Sequence, residues 1–533
     1  MNKIYKPFYF LLSTLLVFSA CDTEDELIQE RLEENPLPPA GSLSGSAGEV
    51  NFSKYVSVGN SITAGLMDAA LYTSGQQNSF PNILANHLSE VEGISIGAFN
   101  QPEINSDNGF NIVLNSFTNP SSPILGRFEL DISIPGPVPT AGEAIAPYDG
   151  DRSAINNFGV PGARVLDALF QGYPLFNPFF GRFASSANTS ILDDAVTAQG
   201  TFFTLWLGGN DVLSWASAGG DGPDGEEEPA AEQTNPNTLT SISSFQQAYG
   251  AVVQGMLSSS QDARGVALTI PSITLLPLFR AVPYNPIPLD EANASALNQA
   301  YDQYNAGLQG AAQFGAITAE EASQRTISFS AGPGNAVVIL DEDLSDITLP
   351  NPEGGDPIVL PKLRQANATD LLLFTVAPML GTDQGAGPYG LAAPVDNRYV
   401  LTLNEQVVLN TRIATFNAII AQTVAATEGR IALLDVNTIF ADIAGLTPQQ
   451  AAQLGLSAAA QAAADGRQGI VVDGVTLQPD FSPNGIMSTD GVHPNPKGHA
   501  LIANEIIRTV NASFGAEIPL IDITPFRTII AAQ

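Results

Sequence analysis

The stretch Tyr55-Val56-Ser57-Val58-Gly59-Asn60-Ser61-Ile62-Thr63-Ala64-Gly65 decides how the rest of the chain is read. A short apolar run stops at a glycine, a serine follows almost at once, and small residues come after it. In an open α/β sheet, a strand ending this way delivers a reactive side chain to the carboxyl edge. The turn has to be tight, and Gly59 and Gly65 flank it. A serine hydroxyl becomes a nucleophile only beside a base, and histidine is the usual base near neutral pH.

The chain holds three histidines, His87, His493 and His499. His493 stands in Ser488-Thr489-Asp490-Gly491-Val492-His493-Pro494-Asn495. Asp490 precedes it by one short bend, Gly491 lets the chain fold back, and Pro494 and Pro496 favour a loop over a helix at the histidine. A carboxylate and an imidazole on one loop can orient the ring locally. His87 falls in a helix that starts near Pro81 and is expected at the surface or its boundary. His499 falls in a closing helix and is expected to be structural. Two further strand ends offer donors for an oxyanion: Asn157-Phe158-Gly159-Val160-Pro161-Gly162-Ala163 and Leu205-Trp206-Leu207-Gly208-Gly209-Asn210-Asp211. A glycine N–H and an asparagine amide at adjacent strand ends can converge with the Ser61 N–H.

These four stretches, in this order, resemble the sequence blocks of the SGNH (GDSL-type) hydrolase superfamily. The serine block matches Gly59-Asn60-Ser61-Ile62, the glycine block Gly162, the Gly-x-Asn-Asp block Gly208–Asp211, and the Asp-x-x-His block Asp490–His493. In one departure, Asn60 stands where the family usually carries an acidic residue. The resemblance implies a flavodoxin-like, three-layer α/β/α sandwich and a serine esterase or lipase. In that enzyme Ser61 attacks an ester carbonyl, His493 takes and returns the proton, and Asp490 orients His493. The Ser61 N–H, the Gly162 N–H and the Asn210 side chain hold the oxyanion. The substrate is a small ester or acylated molecule, and no metal or organic cofactor is needed. Two alternatives stay open: a carbohydrate O-deacetylase with the same triad, and a surface-binding lipoprotein that keeps the fold without turnover.

Composition narrows the setting. The 533 residues suffice for one large domain or two small ones, and 44% of them are hydrophobic. Against 54 Asp+Glu stand 20 Lys+Arg, a net charge of −34. Such a surface repels nucleic acid and anionic membrane. Lys3 and Lys6 followed by the apolar Pro7–Phe18 read as a signal peptide over residues 1–20, too short to span a bilayer. Phe18-Ser19-Ala20-Cys21 then resembles a bacterial lipobox and holds the single cysteine of the chain. The expectation is a lipid on Cys21 that ties the protein to the outer membrane of the cell envelope. An ordinary secretory peptide is the alternative. With one cysteine there is no intrachain disulfide. Residues 21–46, acidic and then proline-rich, read as a disordered tether. The acidic run Asp22–Glu26 is similar to the surface-export signal of Bacteroidetes lipoproteins, and reads equally as a solvated tether.

Residues 47–533 are expected to form the α/β domain. Strands are predicted at Lys54–Gly59, Ala154–Phe158, Phe202–Leu207, Gly265–Ile270 and Arg430–Val436. Helices alternate with them, notably over 241–258, 402–427 and 495–510, which argues for a parallel sheet covered on both faces. Residues 95–150 read as an irregular excursion, and Ala163–Phe170 as the opening of a helix. Residues 280–400, with a polar helix near 290–313, read as a large insertion after strand four. The ring-rich Phe170–Phe183 reads either as a wall or lid of an acyl pocket or as core packing. The acidic loop Asp221–Glu228 reads either as a calcium site or as a solvated loop.

Overall fold

The computed structural model describes residues 43–117, 122–131, 133, 136–351, 354–472 and 474–531. The signal-like segment 1–20, Cys21 and most of the 21–46 tether lie outside the described residues. The chain divides at Ser44–Gly45, and the fold described here is that of the unit beginning at Gly45.

In chain order the elements that position the site are β1 (Tyr55–Gly59), α1 (Ser61–Ala64), α2 (Phe80–Glu90), β2 (Asn157–Gly159), α3 (Ile191–Thr197), β3 (Phe202–Trp206), α4 (Asn210–Ser217), α5 (Ile242–Ser258), β4 (Arg264–Leu268), α6 (Glu291–Gln313), α7 (Leu403–Ala425), β5 (Ile431–Leu434) and α8 (Pro496–Phe514). The five strands form one parallel sheet in the order β5-β4-β3-β1-β2. Every residue of β1 and β3 is buried, as expected of strands covered on both faces. The covering helices fall into two packed groups, α2 with α8, and α3 and α7 either side of α5. The helical period sets these faces. Leu409, Ile413, Phe416 and Ile420 of α7 are all buried, and Phe416 stacks on Phe245 of α5 with ring centroids 3.9 Å apart.

Register places the site. Gly59 lies opposite Gly159 on one side and Trp206 on the other. Three strands therefore end side by side, and the segments that follow them, Asn60-Ser61, Val160–Gly162 and Leu207–Asn210, leave the sheet at one edge. At that edge α1 lies across the end of β2. A Cβ on Gly159 would collide with the Ala64 N and the Thr63 carbonyl carbon, so only glycine fits there.

Between β4 and β5 the chain carries α6 and several short hairpins, with apolar clusters of their own. Leu308, Val338 and Ile347 belong to one, Val337, Val395 and Val400 to another. Arg364 ties this region together by pairing with Asp341 at 2.5 Å and Asp370 at 2.6 Å. No helix among the described residues is long and apolar enough to cross a membrane.

Three expectations need correction. Residues 95–150 contain an antiparallel hairpin, Leu125–Asp131 against Gly136–Ala141. Pro137 and Pro139 disguised it, opposite Leu130 and Phe128. Their missing N–H groups are tolerated because this sheet has two strands and each is an edge. Ala163–Phe170 opens no α-helix. The Arg164 N–H goes to the Asp167 carboxylate and the Val165 N–H to Asp211, so side chains take the donors that would start one. His87 is buried, not at the surface, with its Nε2 2.7 Å from the Pro519 carbonyl oxygen.

Candidate active site

Ser61 is the first residue of α1. Asn60 caps the helix, its side-chain oxygen accepting from the Ile62 N–H at 3.1 Å. A carboxylate would accept the same bond, so the departure at this position keeps the capping function. Gly65 closes the helix at φ +81°, a left-handed cap that suits glycine. The result is a single helical turn that holds Ser61 at the strand end with its hydroxyl facing the loop from α8's entrance.

That loop supplies the partners. The Ser61 Oγ lies 2.8 Å from His493 Nε2, and His493 Nδ1 lies 2.8 Å from Asp490 Oδ2. The other oxygen, Oδ1, accepts from the Val492 and His493 backbone N–H groups at 2.8 and 2.9 Å. Burial alone would raise the Asp490 pKa. His493 and these two N–H groups outweigh it and hold the carboxyl at about 2. A permanent carboxylate fixes the ring and favours a proton on Nδ1, which leaves Nε2 to accept from Ser61. The Ser488 N–H closes the loop onto the His493 carbonyl at 2.8 Å.

Ser61 and His493 open on a small cavity of about 40 Å³. Ile62, Trp206, Leu213, Ile273, Phe440 and Val492 form most of its apolar wall, and Asn210 lines it too. Asn210 starts α4, and its amide donates one hydrogen to the Ala163 carbonyl at 2.9 Å. The second amide hydrogen remains for a ligand. The Ser61 N–H, at the first position of a helix, has no acceptor within that helix. Gly162 occupies an exposed turn at φ +82°. It adjoins Ala163, and thus Asn210, but it is not among the residues lining the small cavity. Asp211, next to Asn210, accepts from the Val165 N–H at 2.9 Å. Its complete burial pushes its carboxyl up to about 7, against that bond and the nearby Arg164.

Sequence reasoning missed a second support. Asp68 and Ala69 stand at φ +54° and +62°, left-handed values that cost a non-glycine residue free energy. The strained turn aims the Ala69 N–H at Asp490 Oδ2, 2.8 Å away, on the same oxygen that holds the imidazole. Asp68 itself is buried. It accepts from the Thr489 N–H at 3.0 Å, the Thr489 hydroxyl at 2.7 Å and the Tyr72 hydroxyl at 2.7 Å. Burial raises its carboxyl pKa and those donors oppose the rise. Thus Asp68 ties the loop after the serine to the loop before the histidine. No glycine marks this turn; aspartate tolerates left-handed backbone better than most residues, but alanine does not, and an Asp-Ala pair does not single the turn out.

The remaining candidates fall elsewhere. Phe179, Phe180 and Phe183 are buried in the core, and Phe176 is 72% exposed. Phe179 packs with Ala64, Leu66 and Leu71 beside α1. None of Phe170–Phe183 lines the small cavity; Phe179, Phe180 and Phe183 are core packing, while Phe170 and Phe176 are exposed. In the acidic loop, Asp224 holds Arg412 through both oxygens at 2.9 Å, and Glu226 accepts from the Ile242 N–H at the start of α5. Among the described residues no group of three His, Cys, Asp or Glu side chains is placed to hold a metal ion. His499 is fully buried and accepts from the Phe80 N–H at 3.1 Å. Burial first, and then His493, push its pKa down to about 3, so it is a neutral structural residue. No family model, curated protein or solved structure matches the chain.

Proposed function

We propose that the protein is a serine ester hydrolase of the SGNH (GDSL) type. The observation that carries the reading is the continuous relay from Ser61 Oγ through His493 to Asp490, two contacts of 2.8 Å each. The Ser61 Oγ attacks the ester carbonyl carbon as its proton passes to His493 Nε2. The Asp490 carboxylate stabilises the imidazolium. The negative oxygen of the tetrahedral adduct is held by the Ser61 N–H and the free Asn210 amide hydrogen, with Gly162 as third donor. Collapse expels the alcohol, which takes the proton from His493. Water, deprotonated by His493, then releases the acid and restores the serine.

Several features support the wider reading. Numbered by position, the strand order is 2-1-3-4-5, the order of flavodoxin-like doubly wound sheets. With helices in two groups this favours a three-layer sandwich, into which residues 280–400 are inserted after strand four. The cavity at Ser61 has room for a two-carbon acyl group, a few water volumes. That favours acetyl esters, and with them the deacetylase form of the reading, over long-chain lipids. Cys21 is the proposed lipid anchor to the envelope.

The test is a panel of esters from acetate to octanoate with wild type and Ser61→Ala. Acetate hydrolysis that vanishes in Ser61→Ala is expected, with kcat/KM falling as the acyl chain lengthens. Wild-type turnover surviving in Ser61→Ala would end the assignment.

A further inference from the structure

A second and much larger cavity, about 860 Å³, adjoins the small one. Two elements form walls of both. In the segment Ile273–Arg280, Ile273 and Leu276 face the small cavity while Leu275, Pro277 and Arg280 face the large one. In the helix Asn437–Ile443 after β5, Phe440 faces the small cavity, and Ala444 and Leu446, just past its end, face the large one. The Leu278 N–H also donates to the Gly491 carbonyl, in the loop between Asp490 and His493, at 3.0 Å. The two spaces therefore neighbour each other along these two elements, the first of which is bonded to the triad loop. Their sizes divide the labour. The small one accepts little more than an acetyl group, while the large one falls in the range of sites that bury a whole small molecule.

The polar equipment of the large cavity is unusual for so acidic a chain. Arg280 spends its Nε on the Thr274 carbonyl at 2.8 Å. Among the described arginines, Arg280 alone has neither Nη1 nor Nη2 on a hydrogen-bond or ion-pair partner. The residue is exposed, yet its guanidinium is desolvated enough to lower its pKa, and no carboxylate offsets that effect. An unpaired guanidinium fork matches a carboxylate or sulfate, which it can bind through two parallel hydrogen bonds. Gln450, Gln453 and Gln468 add amides and Phe481 a ring to the same cavity, and its one carboxylate, Asp480, accepts from the Ser482 N–H at 2.9 Å and pairs with no arginine among the described residues.

We propose that the large cavity holds the alcohol part of the substrate and that Arg280 binds an anionic group on it, while the small cavity holds a short acyl group. The substrate class is then a short-chain ester of a bulky acidic alcohol, such as an acetylated uronic acid glycoside. The proposal rests on the ester-hydrolase reading. It is tested by binding, with turnover measured separately.

The probes are the mono-acetyl esters of methyl glucuronoside and methyl glucoside, which differ at the carboxylate. Titration calorimetry on the Ser61→Ala protein is expected to show the glucuronoside ester binding about ten- to a hundredfold more tightly, the range of a charge-assisted pair. The double variant Ser61→Ala/Arg280→Gln is expected to lose that preference. Equal binding of the two esters, no binding of either, or a preference that survives Arg280→Gln overturns the proposal. Should the glutamine variant fail to fold, Arg280→Lys replaces it, since it keeps the charge without the fork. A preference reduced at least threefold is then expected, and an undiminished one overturns the proposal. Aryl acetate turnover by wild type is read in parallel. Its absence refutes the ester-hydrolase reading, whereas the calorimetry still decides the role of Arg280.

Discussion

Asp211→Asn is expected to stabilise the protein, and increasingly so as pH rises. Asp211 is fully buried behind Asn210, and burial pushes its carboxyl up from an ordinary 3.8 to about 7. Its folded pKa is raised, so the folded state favours the protonated acid. The stabilisation that proton brings is complete below the unfolded pKa and is lost as pH climbs through about 7. Between pH 5 and pH 7 the folded chain holds a proton that the unfolded chain has released, a slope of about 1.4 kcal/mol per pH unit. Over that span wild type loses ~3 kcal/mol that the asparagine variant keeps. Asparagine resembles the protonated acid, and its carbonyl oxygen can still accept from the Val165 N–H that now meets Oδ2 at 2.9 Å. The assay is urea unfolding of both proteins at pH 5 and pH 8. The variant should gain ~3 kcal/mol relative to wild type between the two. Parallel stabilities at both pH values, or a variant weaker at pH 8, would refute the buried neutral acid.

Asn210→Ala should lower kcat about 10²- to 10³-fold with the fold intact, because it removes the side-chain donor to the oxyanion; stopped assays on an aryl acetate beside a thermal melt check both halves. Cys21→Ala should move the protein from the membrane pellet to the soluble fraction or leave it unprocessed, which fractionation and intact mass distinguish, since the proposed lipid is attached through that thiol.

What the sequence disclosed, and what it hid, follows from where each bond is made. The strand ends were legible because glycine, asparagine and proline leave local marks. Gly59 and Gly159 allow close approach, Asn495 accepts from the Gly498 N–H at the start of α8, and Pro496 opens that helix. The pairing of Ser61 with His493 was legible as chemistry, since a serine needs a base, although the chain separates them by most of its length. The Asp68–Ala69 turn was not, because its strain is held by Thr489, Tyr72 and Asp490, and no neighbouring residue announces it. The hairpin over 125–141 hid behind prolines that are harmless on edge strands. The ring-rich Phe170–Phe183 suggested a pocket by composition, but composition does not say which way a ring faces, and Phe179 and Phe180 face the core. The size of the cavity at Ser61 came from residues of five separate segments, which no single motif could reveal.

The central claim is that Ser61 is an activated nucleophile, and a fluorophosphonate probe tests it most directly. Phosphonylation of a serine requires its Oγ to be deprotonated by a neighbouring base as the leaving fluoride departs. Intact mass and peptide mapping of the labelled protein should find one adduct, on Ser61, with none in Ser61→Ala and a much slower reaction in His493→Ala. A folded wild-type protein that takes no label, or a Ser61→Ala protein labelled as fast as wild type, would contradict the account.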